Sequence, residues 1–203
     1  MRPSAILFDL DGVLIRSEEV WAQVVREAGE KFRGRPVSHE EFMPTFGQGT
    51  AADVAAFGFQ CTPAELDAFY AVNFRQHITG IWVDPDARGL LAQLQQEAVR
   101  LAVVTNTIGP LARDLLTVAG LLPFFQVVST PDLVPRAKPA PDLVLHALNG
   151  LALSPEQAWF VGDSRYDREA SASAKVRFVG LRQEGDLRIE NLSELARLLP
   201  FAR

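Results

Sequence analysis

The chain has 203 residues, with 20 Lys or Arg against 25 Asp or Glu and a formal charge of −5, which offers no basic face to nucleic acid or an anionic membrane. Hydrophobic residues at 48% and charged ones at 22% exclude a disordered chain, and the single cysteine, Cys61, cannot close an internal disulfide. The opening MRPSAILFDLDG is too short and acidic for a signal peptide, and no apolar run approaches the ~18 residues of a membrane span, so a cytoplasmic globular protein is expected.

In chain order, the first buried-strand run is residues 5–8, followed at once by Asp9-Leu10-Asp11-Gly12. From 17 to 85 no such run occurs. The pattern there predicts a helix over 20–32, two more around a Gly-rich loop within 40–59, and another over 63–78. So long an interval exceeds what a crossover needs and reads as an inserted helical subdomain. Beyond it, helices are predicted at 87–97, 111–119 and 141–148, the last opening on a proline suited to a first turn. They alternate with near-continuous apolar strands at 101–104, 125–128, 159–161 and 176–179. After Gly180 come a polar turn and a short helix over 192–199. Alternating strands and helices predict an α/β fold, a doubly wound, Rossmann-like parallel sheet, with the core formed by 1–16 and 86–203 and the helical unit by 17–85.

The polar residues fall at the strand ends. Asp9 and Asp11 follow the first strand, Thr105 and Asn106 the second, Asp163 and Asp167 the fourth, while Lys138 lies in the stretch VPRAKPAPD. Open parallel sheets bind ligands at the carboxyl ends of their strands, so these groups are expected in one crevice. Converging carboxylates need a cation among them, and all-oxygen ligation without His or Cys suits Mg²⁺. An Asp ionised beside that metal can act as a nucleophile, with a lysine and a hydroxyl holding a phosphoryl group. In Asp-x-Asp-Gly the two carboxylates share a face, and the glycine lets the chain turn away.

The runs ILFDLDGVL, VVTNT, AKPAP and WFVGDSRYD resemble, in order, the four motifs of the haloacid dehalogenase-like hydrolase superfamily, spread from Ile6 to Asp167. The helical insertion resembles the small cap of its phosphoglycolate phosphatase and β-phosphoglucomutase-like branch. The resemblance implies an Mg²⁺-dependent phosphatase acting on a small phosphorylated metabolite, as monomer or homodimer. It makes Asp9 the nucleophile, Asp11 the general acid/base, and Thr105 and Lys138 the holders of the phosphoryl oxygens, with Asn106 assisting. Metal ligation falls to Asp9, Asp11 (through its carbonyl) and Asp163, and Asp167 orients Lys138 or a metal-bound water. The sequence departs from the family at Arg16, where many members carry Asp, and at Lys175, where a glycine is usual. A mutase of the β-phosphoglucomutase type is the alternative activity, and a non-catalytic interaction protein the alternative role. Where mutase relatives carry a cap histidine and arginine this chain aligns Trp21 and Thr50, which disfavours the mutase, and the presence of Asp11 argues for phosphate rather than dehalogenation.

The loop from Phe46 to Thr50 either dips toward substrate, making Gln48 and Thr50 binding residues, or is a turn between helices. Trp21, Trp82 and Trp159 are read as packing residues, Cys61 as a buried small hydrophobe, and Arg33 with Arg35 as a solvated loop. His39, His77 and His146 have no metal-site spacing.

Overall fold

A computed structural model describes residues 2–199. Its strands are β1 (Ala5–Phe8), β2 (Ile15–Arg16), β3 (Trp82–Val83), β4 (Arg100–Val104), β5 (Val127–Ser129), β6 (Ala158–Gly162), β7 (Arg177–Leu181) and β8 (Leu187–Ile189). Six of them form one sheet in the order β5-β4-β1-β6-β7-β8, every pair parallel. Between β2 and β3 come the helices α1 (Glu18–Arg33), α2 (His39–Phe42), α3 (Thr50–Phe57) and α4 (Pro63–His77). Helices α5 (Ala87–Gln96), α6 (Gly109–Val118), α7 (Asp142–Gly150), α8 (Arg165–Ala174) and α9 (Ser193–Leu198) cover the sheet. This is the expected doubly wound architecture with an inserted helical cap.

Period-two alternation along buried strands sends side chains to both faces. Ile6, Phe8, Leu101 and Val103 pack with Leu91, Leu115 and Leu195 on one face, and that cluster runs on into the cap at Val24, Leu66 and Phe74. Ala5, Leu7, Ala102 and Val104 pack against Val144, Ala147 and Ala170 on the other. Each large side chain so buried contributes about 1.5–3 kcal/mol, which holds the strand ends rigidly in register. In the cap, α1 stops at Gly34, whose φ of +74° supplies a left-handed cap, and α4 starts from a Thr62–Glu65 capping box with Pro63 in its first turn.

Three features differ from the sequence reading. The run at 125–128 pairs only from Val127, because the Phe125 N–H closes a tight turn onto Leu122. The stretch read as a polar turn after Gly180 contains β8, an edge strand flanked by Asp186 and Glu190 in which Ile189 alone is fully buried. Arg16 and Trp82, Ile15 and Val83 pair as a two-residue antiparallel ladder between core and cap, too short to leave a periodic signal. Among the described residues no helix is long and apolar enough to cross a membrane.

Candidate active site

The strand register assembles the site. Phe8 is flanked by Val103 and Val161, so Asp9, Thr105 and Asp163 leave the sheet along one edge, and the Asp9 N–H donates to the Val161 carbonyl at 2.9 Å. Gly12 then turns the chain with a φ of +83°, and a Cβ there would lie 2.0 Å from Asp163 Oδ2, so both conformation and space require glycine.

Lys138 ties these ends together. Its Nζ donates to Asp9 Oδ1 at 2.8 Å, to Asp167 Oδ1 at 2.6 Å and to the Val104 carbonyl at 3.1 Å. Burial works against its charge, but Asp167 and then Asp9 outweigh it and hold the ammonium above its ordinary range. Asp167 sits in the first turn of α8 and completes a capping box with Ser164, so helix cap and lysine partner are one residue. Asp9 is pushed well above the carboxylate range, first by burial and then by Asp167, with Asp163 adding and Lys138 opposing. Asp163 rises to about 7, again from burial and then Asp167.

Carboxylate oxygens of Asp9, Asp163 and Asp167 lie within 4.8 Å of one another. Facing them, the buried ammonium of Lys138 pairs with Asp9 and Asp167, and Arg182 acts on Asp163 as well, which leaves three carboxylates against two cations. This all-oxygen, under-neutralised set fits a hard divalent ion such as Mg²⁺.

The carboxylate of Asp11 is engaged elsewhere. It accepts from Thr107 Oγ1 at 2.8 Å, from Trp21 Nε1 at 3.1 Å and from the Ser17 hydroxyl. Thr105 Oγ1 accepts from the Thr107 N–H at 3.0 Å, which leaves its own proton to donate. Asn106 is committed to the fold of the site: its amide donates to the carbonyls of Gly47 (2.9 Å) and Lys138 (3.0 Å), and its oxygen accepts from the Lys138 N–H at 2.9 Å.

Asp9, Asp11, Thr105, Asn106 and Lys138 line one cavity of about 50 Å³, and the cap loop with Gly47, Gln48 and Thr50 closes its other side. The loop therefore docks on the core while also linking two helices. Gln48 Nε2 donates to Asp53 Oδ1 at 2.7 Å, and Tyr70 donates to Asp53 Oδ2 at 3.0 Å. Burial, with a smaller push from Asp67, raises Asp53 to about 7 against these two bonds.

Sequence reasoning missed Ser17, Trp21, Asp53, Tyr70 and Thr107. Trp21, expected as a packing residue, does pack edge-on to Tyr70 and at a tilt to Phe74, but its indole N–H carries a cap group onto a core carboxylate. Thr107, two residues past Thr105 in VVTNT, was the legible signal of the set. The solvated-loop reading of Arg33 is corrected: its side chain is 8% exposed and donates to Glu41 at 2.9 Å, because it caps the carbonyls of Pro36 and Phe57 as well, whereas Arg35 is 63% exposed. Cys61 is half-buried rather than buried.

The family model for haloacid dehalogenase-like hydrolases matches residues 6–181. Phosphoglycolate phosphatase of Pectobacterium atrosepticum is 32% identical, covering 87% of this chain and 79% of its own. Pyrophosphatase PpaX of Listeria monocytogenes is 30% identical, covering 88% and 82%. The crystal structure of CbbY from Rhodobacter sphaeroides in complex with phosphate superposes with a TM-score of 0.81 at 26% identity, over 95% of this chain and 96% of that one. With four ordered motifs at the strand ends of a doubly wound sheet and a helical cap over them, this chain belongs to the haloacid dehalogenase-like hydrolase family and is an enzyme of that family.

Proposed function

We propose that the protein is an Mg²⁺-dependent phosphatase that hydrolyses a small phosphomonoester through an aspartyl-phosphate on Asp9. The observation that carries the reading is the different setting of two carboxylates lining one cavity. Asp9 is packed with Lys138 among the acids, and Asp11 is held by three hydroxyl and indole donors. Phosphatases named among the relatives support a small phosphate substrate.

Asp9 Oδ1 accepts from the Leu10 N–H and from Lys138, which fixes the rotamer and leaves Oδ2 as the attacking atom, the Lys138 ammonium and a bound Mg²⁺ together favouring the ionised form against burial. Attack forms an Oδ2–P bond as the P–O bond to the alcohol breaks, and Asp11, entering protonated, gives its proton to the departing oxygen and becomes the carboxylate that Ser17, Trp21 and Thr107 hold. Asp11 then takes a proton from the water that attacks phosphorus, returning Asp9 as carboxylate with inorganic phosphate. Lys138 and the Thr105 hydroxyl hold the phosphoryl oxygens, and the ammonium offsets charge spread over them in the transition state. Asp9 and Asp163, with Asp167 behind them, would hold Mg²⁺, which supplies further neutralisation of the phosphoryl charge. Cap closure shields the intermediate from bulk water.

The test is phosphate release from a panel of esters with Mg²⁺ or EDTA. Turnover is expected only with the divalent ion and to be lost in Asp9→Asn by at least about a thousandfold, with the fold kept by circular dichroism. Activity surviving in that variant would overturn the reading.

A further inference from the structure

Lys138 is the one cation among the described residues that line the cavity, and its three donor contacts point into the core, to Asp9, Asp167 and the Val104 carbonyl. Toward the cap the lining changes character. Trp21, Phe42, Phe46 and Tyr70 supply aromatic faces, and Thr45 and Gln48 supply neutral polar groups. The one ionisable carboxyl on that side is Asp53, buried against Gln48 and Tyr70. The N-terminus of α3 also faces this space, but Asp53 stands in its first turn, where its carboxylate, ionised above about pH 7, offsets the positive end of the helix dipole. A phosphoryl group seated on Lys138 would direct its alcohol into this half of the cavity. A carboxylate or second phosphate on that alcohol would find no cation there, and would be desolvated beside Asp53 and Asp11. Hydroxyl groups would find donors and acceptors, and a carbon skeleton would find the aromatic rings.

We propose that the cavity selects monophosphate esters of an uncharged, hydroxylated alcohol, with Asp53 as the specificity-determining residue that turns away a second negative charge. This rests on the phosphatase reading and narrows its substrate class. It excludes phosphoglycolate and pyrophosphate as preferred substrates, although relatives of this chain carry those names.

Size-matched pairs test it. With Mg²⁺ and the full chain at pH 8.5, where Asp53 is ionised, kcat/KM is measured for 2-hydroxyethyl phosphate against 2-phosphoglycolate, and for sorbitol 6-phosphate against 6-phosphogluconate, each pair exchanging a CH₂OH for a carboxylate. Pyrophosphate is included, and p-nitrophenyl phosphate serves as a generic ester. The neutral member is expected to win by at least about tenfold in a pair, the scale of one like-charge contact. In Asp53→Asn, an isosteric change, that ratio is expected to shrink at least about threefold, mainly through a gain on the anionic member. Hydrolysis of p-nitrophenyl phosphate with equal or inverted ratios would overturn the substrate class while leaving the phosphatase reading intact. A wild-type preference that Asp53→Asn leaves unchanged would overturn the role of Asp53. No hydrolysis of any ester, p-nitrophenyl phosphate included, would sink the phosphatase reading and this inference with it.

Discussion

Two aspartates separated by a single leucine occupy different chemical situations, and in the proposed mechanism that difference divides their labour. Asp9 is desolvated among Asp167, Asp163 and Lys138, whereas Asp11 is held in place by Ser17, Trp21 and Thr107. A proton donor matters in proportion to how poor the leaving group is. Asp11→Asn is therefore expected to cost about 10²–10⁴-fold in kcat/KM on an alkyl phosphate but far less on p-nitrophenyl phosphate, whose phenolate leaves unaided. Equal losses on both, read from initial rates, would argue against the assignment. Asp53 gives a prediction in stability. Burial lifts its pKa from the ordinary 3.8 to about 7, so between those values the folded chain keeps a proton that the unfolded chain has released. The unfolded state then binds fewer protons, and stability falls as pH rises through that window. Urea unfolding of wild type and Asp53→Asn over pH 4 to 8 should show wild type losing ground to the variant up to about pH 7 and level above it. Parallel curves would contradict the shift.

The strand ends are the elements that matter, and most of them were legible. Each apolar run marks a buried strand, and the polar residue closing it marks the crevice. Asp9, Thr105 and Asp163 stand out because strand position and motif agree, and Lys138 through its motif. What stayed hidden came from the third dimension. Trp21 lies on an amphipathic helix whose period announces packing, and nothing in that period reveals that its N–H crosses from cap to core. Asp53 looks like any acid in a first helical turn until Tyr70, seventeen residues on, covers it. The two-residue ladder of β2 with β3 and the charged edge strand β8 lack the length or apolarity that periodicity needs. One glycine was readable for a local reason and matters for a distant one. Gly12→Ala is expected to destabilise by about 1–3 kcal/mol for its positive φ alone. It should also displace Asp163, so activity falls further than stability does. A variant with wild-type kcat/KM and an unchanged denaturation midpoint would contradict this.

At the scale of the molecule, the polar contacts between core and cap include Asn106 to the Gly47 carbonyl, Trp21 and Ser17 to Asp11, the Arg75–Asp114 ion pair of α4 with α6, and the short ladder of β2 with β3. In the proposed mechanism the core contributes the reaction and the cap the choice of alcohol. Since the acidic cluster is already assembled, adding Mg²⁺ should raise the melting temperature in the way any ligand of the native state does, by about 2.7 kcal/mol at a hundredfold excess over Kd. Asp163→Asn should lose most of that gain in differential scanning fluorimetry, and an undiminished gain would place the ion elsewhere. The proposed mechanism requires Asp9 to become covalently phosphorylated. Turnover of a substrate ester in the presence of Mg²⁺ and hydroxylamine, followed by peptide mass spectrometry, tests it most directly. A hydroxamate on Asp9 that forms only with substrate is expected, and sustained hydrolysis that leaves Asp9 unmodified would rule out the covalent route.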